Sequence, residues 1–231
     1  MREVFETQLR QILEKITLMG GLAESMIQAA ARGLLDRDGS VVEQVTRDER
    51  RVNQLQIEID EQIVRTMALQ APVASDLRFV MMSSRVASDV ERIGDQALNI
   101  VQNTQFVLGG EAGPILQDFR EMSEFAVDMV SDALTALVTR DCGMAEQVLE
   151  TEKQVNVQRD RIFNKLLSGL GGVDHPTASR SLSLILISRN LERIGDHASN
   201  IAEEVIYIVR GQDVRHRYDQ PSRLETHPIG N

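Results

Sequence analysis

The pentapeptide Glu-Arg-Ile-Gly-Asp occurs twice in this chain, at residues 91–95 and 192–196. Its surroundings recur with it. Ala97, Asn99 and Ile100 follow the first copy as Ala198, Asn200 and Ile201 follow the second, and Ser84-Arg85 and Ser188-Arg189 precede them at slightly different spacings. The chain is therefore an internal duplication, and any fold assigned to one half must also suit the other. Each copy sets a Glu and an Asp four residues apart, a spacing that stacks two carboxylates on one helix face.

The duplicated unit reads as helical. Val86, Val90, Ile93, Ala97 and Ile100 form one apolar stripe, and Ile187, Leu191, Ile194, Ala198, Ile201 and Val205 form its counterpart. No sustained period-2 alternation suggests strands. Breaks near 36–40, 71–72, 109–114, 140–143 and 169–176 predict six long helices, over 3–36, 40–70, 73–108, 115–140, 143–169 and 177–210. The break at 109–114 coincides with the repeat boundary. The expected fold is all-α, two tandem antiparallel three-helix bundles: residues 1–110 for the first repeat and 111–211 for the second. The tail 212–231, with Pro221 and Pro228 among mostly polar residues, is expected to be disordered.

On a helical wheel, Glu91, Asp95 and Asn99 fall opposite the apolar stripe, as do Glu192, Asp196 and Asn200. An ordinary solvated acidic face is the default for such residues. Three features argue for more. Gly94 and Gly195 sit in helix interiors, where Gly costs about 1 kcal/mol relative to Ala, which suggests close approach by another backbone, a ligand or a partner. The stripe holds oxygen donors without the Lys at i+4 of an ion-pair ladder. The preceding helices carry a matching pair, Glu49 and Asn53 against Glu152 and Asn156, so two helices could present ligands to one groove. Such all-oxygen sets favour hard or borderline cations, Mg, Mn, Ca, Fe or Zn, and the spacing does not choose among them.

Other chemistries find little footing. A net charge of −10 opposes sequence-independent nucleic-acid binding, and three aromatic residues per hundred leave no stacking platform. The single cysteine, Cys142, excludes an internal disulfide framework and fits a reducing compartment. No secretory signal or membrane-length apolar run is present, so a cytoplasmic protein is expected. His197 follows Asp196 on another face and has Gln96 as its counterpart, which argues against a ligand role. His175, His216 and His227 are expected at a turn or in the tail. No nucleophile–base pair or phosphate-cradling loop appears, so no enzyme is expected.

The doubled motif, together with Leu18-Met19-Gly20-Gly21, Pro72-Val73-Ala74-Ser75-Asp76-Leu77-Arg78 and Gly211-Gln212-Asp213-Val214-Arg215-His216, resembles the PhoU family of phosphate-signalling proteins over residues 5–216. The resemblance implies a negative regulator of the phosphate-starvation response that couples a phosphate ABC transporter, through its ATPase, to a sensor histidine kinase. Membrane contact would come only through those partners. It also implies surface metal clusters held by Glu91 and Asp95 in one half and Glu192 and Asp196 in the other. Asn99, Asn200, Glu49 and Glu152 are second-rank candidates from helix geometry. Asp89 is replaced by Asn190 in the second copy, which would make the two sites differ. A homodimer through helices 1 and 4 is compatible with the pattern but not required by it. The alternatives are an acidic face that binds partner arginines without metal, a carboxylate-bridged metal-storage bundle or metal-dependent enzyme, and a helical spacer.

Overall fold

A computed structural model describes residues 2–109 and 113–215. Six helices run in order: α1 (Arg2–Leu35), α2 (Val41–Gln70), α3 (Ala74–Thr104), α4 (Ile115–Thr139), α5 (Cys142–Ser168) and α6 (His175–Arg210). No strand occurs among the described residues. The expected division at 110/111 and the tail from 216 onward, with His216 and His227, lie outside the described residues.

The ends follow from local chemistry. Asp141 caps α5 by accepting from Gly143 N at 2.8 Å and Met144 N at 3.1 Å. Asp174 caps α6 through Thr177 N at 3.0 Å, with Pro176 in the first turn, so α6 starts two residues earlier than the pattern suggested. Gly211 ends α6 at φ 69°, where its N–H reaches Tyr207 O. One boundary departs further from expectation: α3 stops at Thr104 rather than 108. Phe106 N and Val107 N turn back to Asn103 O and Thr104 O, and Arg37 from the α1–α2 turn donates to the Leu108 carbonyl. That tertiary bond takes over a carbonyl at the end of the chain segment the sequence assigned to the helix.

Within each half the three helices pack on one another, and the two halves share one continuous apolar core. The halves meet along two seams, α3 against α6 and α1 against α4. The α3–α6 seam is antiparallel: Arg78 donates to Ile208 O at 3.3 Å, Arg85 pairs with Glu204 at 2.9 Å, and Asp89 meets His197 and Asn200. The α1–α4 seam is close at Gly20, where a Cβ would lie 2.4 Å from Leu134 Cδ1.

The duplication extends to single packing contacts. Gly94 of α3 lies over Met26 of α1 and Val52 of α2, with built-Cβ contacts of 3.5 Å; Gly195 of α6 lies likewise over Met129 and Val155, at 3.6 and 3.5 Å. One pair of equivalent positions carries inverted charge. Lys15 of α1 pairs with Glu58 of α2 at 3.6 Å, whereas at the matching places Asp118 of α4 pairs with Arg161 of α5 at 3.2 Å. Asp118 is buried, and Lys165 closes on its other oxygen at 2.6 Å.

Candidate functional site

The atoms nearest Gly94 and Gly195 belong to the side chains of Met26 and Val52 and of Met129 and Val155. These neighbours are core side chains, not another backbone or a ligand, which corrects the expectation drawn from the cost of the glycines. A methyl group at either position meets those neighbours at ordinary contact distance. Gly94→Ala and Gly195→Ala are therefore expected to match or slightly exceed the wild-type melting temperature, gaining up to about 1 kcal/mol of helix propensity. Leucine at either position should overpack the core and cost about 1–3 kcal/mol in thermal or urea melts.

With Val52 beneath Gly94, and Asp60 accepting from Ser84 Oγ at 2.7 Å, α2 and α3 run antiparallel in fixed register. That register brings Glu49 beside the motif of the first half. Glu49, Glu91 and Asp95 are half-buried in the α2–α3 groove rather than on a fully solvated outer face. The Glu91 carboxyl is pushed above the usual carboxylate range, first by burial and then by the charges of Asp95 and Glu49; Arg92 and His197 oppose the shift. No salt bridge neutralises Glu49, Glu91 or Asp95 among the described residues. Asn53 donates its amide to Glu49, while its buried Oδ1 has no hydrogen-bond partner.

The second half sets Glu152 of α5 beside Glu192 and Asp196 of α6; Glu152 and Glu192 are half-buried and Asp196, unlike Asp95, is exposed. The Asp196 carboxyl is pushed up to about 6, first by burial and then by Glu152 and Glu192, with His197 and Arg159 opposing. Here a cation is already in place: Arg159 Nη1 lies 3.3 Å from Glu192 Oε1. The residue equivalent to Arg159 in the first half is Gln56. The two sites therefore differ at Arg159, whose counterpart carries no charge.

Asp89 belongs to the seam. Its Oδ1 lies 2.8 Å from His197 Nδ1 and accepts from Asn200 Nδ2 at 3.0 Å. Asn200 thus reaches across the seam through its amide nitrogen. Asn99 is half-buried one turn beyond Asp95. The Asp89–His197 pair went unread in the sequence because its members lie 108 residues apart, in different copies of the repeat.

The donor sets suit a hard cation in kind: three carboxylates on two helices and, in the first half, an unpartnered amide oxygen. Among the described residues no three acidic, imidazole or thiol groups converge as a ready chelate. Burial, and after it the charges of neighbouring carboxylates, disfavour the ionised forms of Glu91 and Asp196.

The Asp196 shift has a definite sign. Its folded pKa lies above its unfolded value, so between about pH 4 and 6 the unfolded chain releases a proton that the folded chain retains. Stability contributed by this group falls as pH rises through that window and stays lower above it. Asp196→Asn is expected to open a stability advantage over wild type between pH 4 and 6 that persists at pH 7. Thermal melts of both metal-free proteins across that range test this, and parallel curves would refute it.

A model of the PhoU domain matches the chain twice, over residues 16–104 and 119–205. The phosphate-specific transport system accessory protein PhoU homologs of Pseudomonas putida and Pseudomonas aeruginosa are each 37% identical to it, over 92% of this chain and 83% and 88% of theirs. Phosphate-specific transport system accessory protein PhoU of Escherichia coli is 31% identical over 92% of this chain and 88% of its own. The crystal structure of PhoU from Pseudomonas aeruginosa matches with a TM-score of 0.86 at 35% identity, covering 90% of this chain and 100% of that one. The phosphate transport system regulatory protein PhoU from Streptococcus pneumoniae, at 23% identity and a TM-score of 0.83 over 91% of this chain and 99% of that one, shares the fold.

Proposed function

The chain belongs to the PhoU family of phosphate-transport accessory proteins, and from that premise we propose that it is a non-enzymatic adaptor of phosphate homeostasis. It represses the phosphate-starvation response by coupling the ATPase of a phosphate ABC transporter to a sensor histidine kinase. No helix of the described residues is long and apolar enough to cross a membrane, so it reaches the membrane through those partners.

The observation that carries this reading is the repeated trio of under-neutralised carboxylates, Glu49/Glu91/Asp95 and Glu152/Glu192/Asp196. Surface carboxylates held under mutual repulsion are poised to take up positive charge. We assign that charge to a divalent or iron-type ion, Mn, Mg, Fe or Zn, held by Glu91 and Asp95 with Glu49, and by Glu192 and Asp196 with Glu152. A bound ion would supply local positive charge and tie the two helices of each groove together. The residues themselves set how acidic each groove is when it meets a partner.

A second reading keeps the fold and dispenses with metal: partner arginines occupy the grooves. The Arg159–Glu192 pair favours it for the second half, because a guanidinium already sits there. Deleting the gene in its host and measuring phosphatase expression at high phosphate tests the adaptor role. Constitutive expression, reversed by the wild-type gene, is the expected result. Repression unchanged by the deletion would overturn it.

A further inference from the structure

We propose that the two acidic grooves continue into twin docking channels for a basic amphipathic helix, so that one chain engages two copies of the same kind of segment. The register that pairs Asp60 with Ser84 sets Val64 of α2 level with Met81 of α3, one turn beyond that pair and about three to four turns from Glu49, Glu91 and Asp95 along the same two helices. Both side chains are largely exposed, Val64 at 68% and Met81 at 45%. In the second half, the register fixed by Arg159–Glu192 and Val155–Gly195 sets Leu167 of α5 level with Leu182 of α6, exposed at 51% and 57%. Leu167 is the repeat equivalent of Val64, and Leu182 of Met81.

Single exposed apolar residues on a surface need no explanation. Here the same two positions are apolar and exposed in both halves, each time in line with a carboxylate trio. At the helical rise the apolar pair lies about 22 Å from Glu49 along α2 and about 15 Å from Glu91 along α3. A partner helix of about four turns, apolar at one end and Lys/Arg-rich at the other, would cover the apolar pair and set its cations over the carboxylates. Charge selects the occupant. An acidic chain is drawn to a basic protein segment and is repelled by an anionic lipid surface. Because α3 and α6 pack antiparallel, the channels run in opposite directions, which suits a partner presenting its helix twice.

This goes beyond the adaptor reading and can fail separately from it. The probe is a fluorescein-labelled 16-residue peptide with leucines in its first two turns and lysines and arginines in its last two, followed by fluorescence anisotropy at low salt. Wild type is expected to bind two peptides per chain. Val64→Ser/Met81→Gln and Leu167→Gln/Leu182→Gln should each leave one, and the four together should weaken binding at least tenfold. A scrambled peptide of the same composition should bind at least tenfold more weakly than the ordered one. All four positions are exposed, and unchanged circular dichroism would establish that the variants remain folded. Equal binding by the fourfold variant and wild type would overturn the proposal. So would stronger binding to phosphatidylglycerol vesicles than to the peptide, lost in that variant, which would reassign the surface to a membrane. Normal phosphatase repression in a strain carrying the fourfold variant, alongside lost peptide binding, would separate this channel from the adaptor role.

Discussion

Replacing Arg161 and Lys165 together with methionine is expected to lower the melting temperature by about 10 °C. Asp118 stands in the first turn of α4 with 5% of its side chain exposed, and these two cations of α5 are its ion-pair partners. Their own side chains are about half exposed, so removing them leaves little strain on α5. What it leaves is a buried carboxylate with no counter-charge, at a cost of about 3 kcal/mol. In a chain of this size each kcal/mol moves the midpoint by about 2–4 °C. Adding Asp118→Asn to the double variant removes the stranded charge and should restore most of the loss. Differential scanning calorimetry of the three proteins checks this, and a double variant that melts like wild type would refute it.

The second large effect concerns the first acidic groove. Glu91→Gln/Asp95→Asn preserves shape and removes the two charges the motif contributes. Binding of Mn²⁺ there is expected to fall at least tenfold by isothermal titration, with the stoichiometry dropping to that of the second half. The same substitution should raise the melting temperature of the metal-free protein, because it removes the half-buried charge of Glu91 and its repulsion with Asp95. A variant more stable without metal and unable to bind it would carry the mark of a site maintained for binding at the expense of the fold. Identical isotherms for wild type and variant would leave partner cations as the occupants.

Much of this architecture was legible in the sequence because its signals are local. Gly, Pro and Asp at the breaks lie where five of the six helices end, and Asp141 and Asp174 there cap the helices that follow. Helical spacing alone aligned Glu91 with Asp95, and comparison of the two copies pointed to Glu49 and Glu152. What escaped notice depends on contacts between distant segments. Arg37 reaching Leu108 bears on the end of α3, and Asp89 meets His197 only once the halves pack. The interior glycines were misread for the same reason. A helical wheel shows that Gly94 has no side chain, but only the fold reveals Met26 and Val52 beneath it. Arg159 likewise becomes a neighbour of Glu192 only through the α5–α6 register.

The inverted ion pairs have a consequence for how the chain finds its fold. A duplicated polypeptide must choose between two sets of near-identical partners, since α1 resembles α4 and α2 resembles α5. If α1 took α5, Lys15 would confront Arg161; if α4 took α2, the buried Asp118 would confront Glu58. Only the correct assortment places opposite charges together at both positions. Reversed polarity thus serves as an address within the molecule, favouring pairing of each helix with its own copy over exchange between halves.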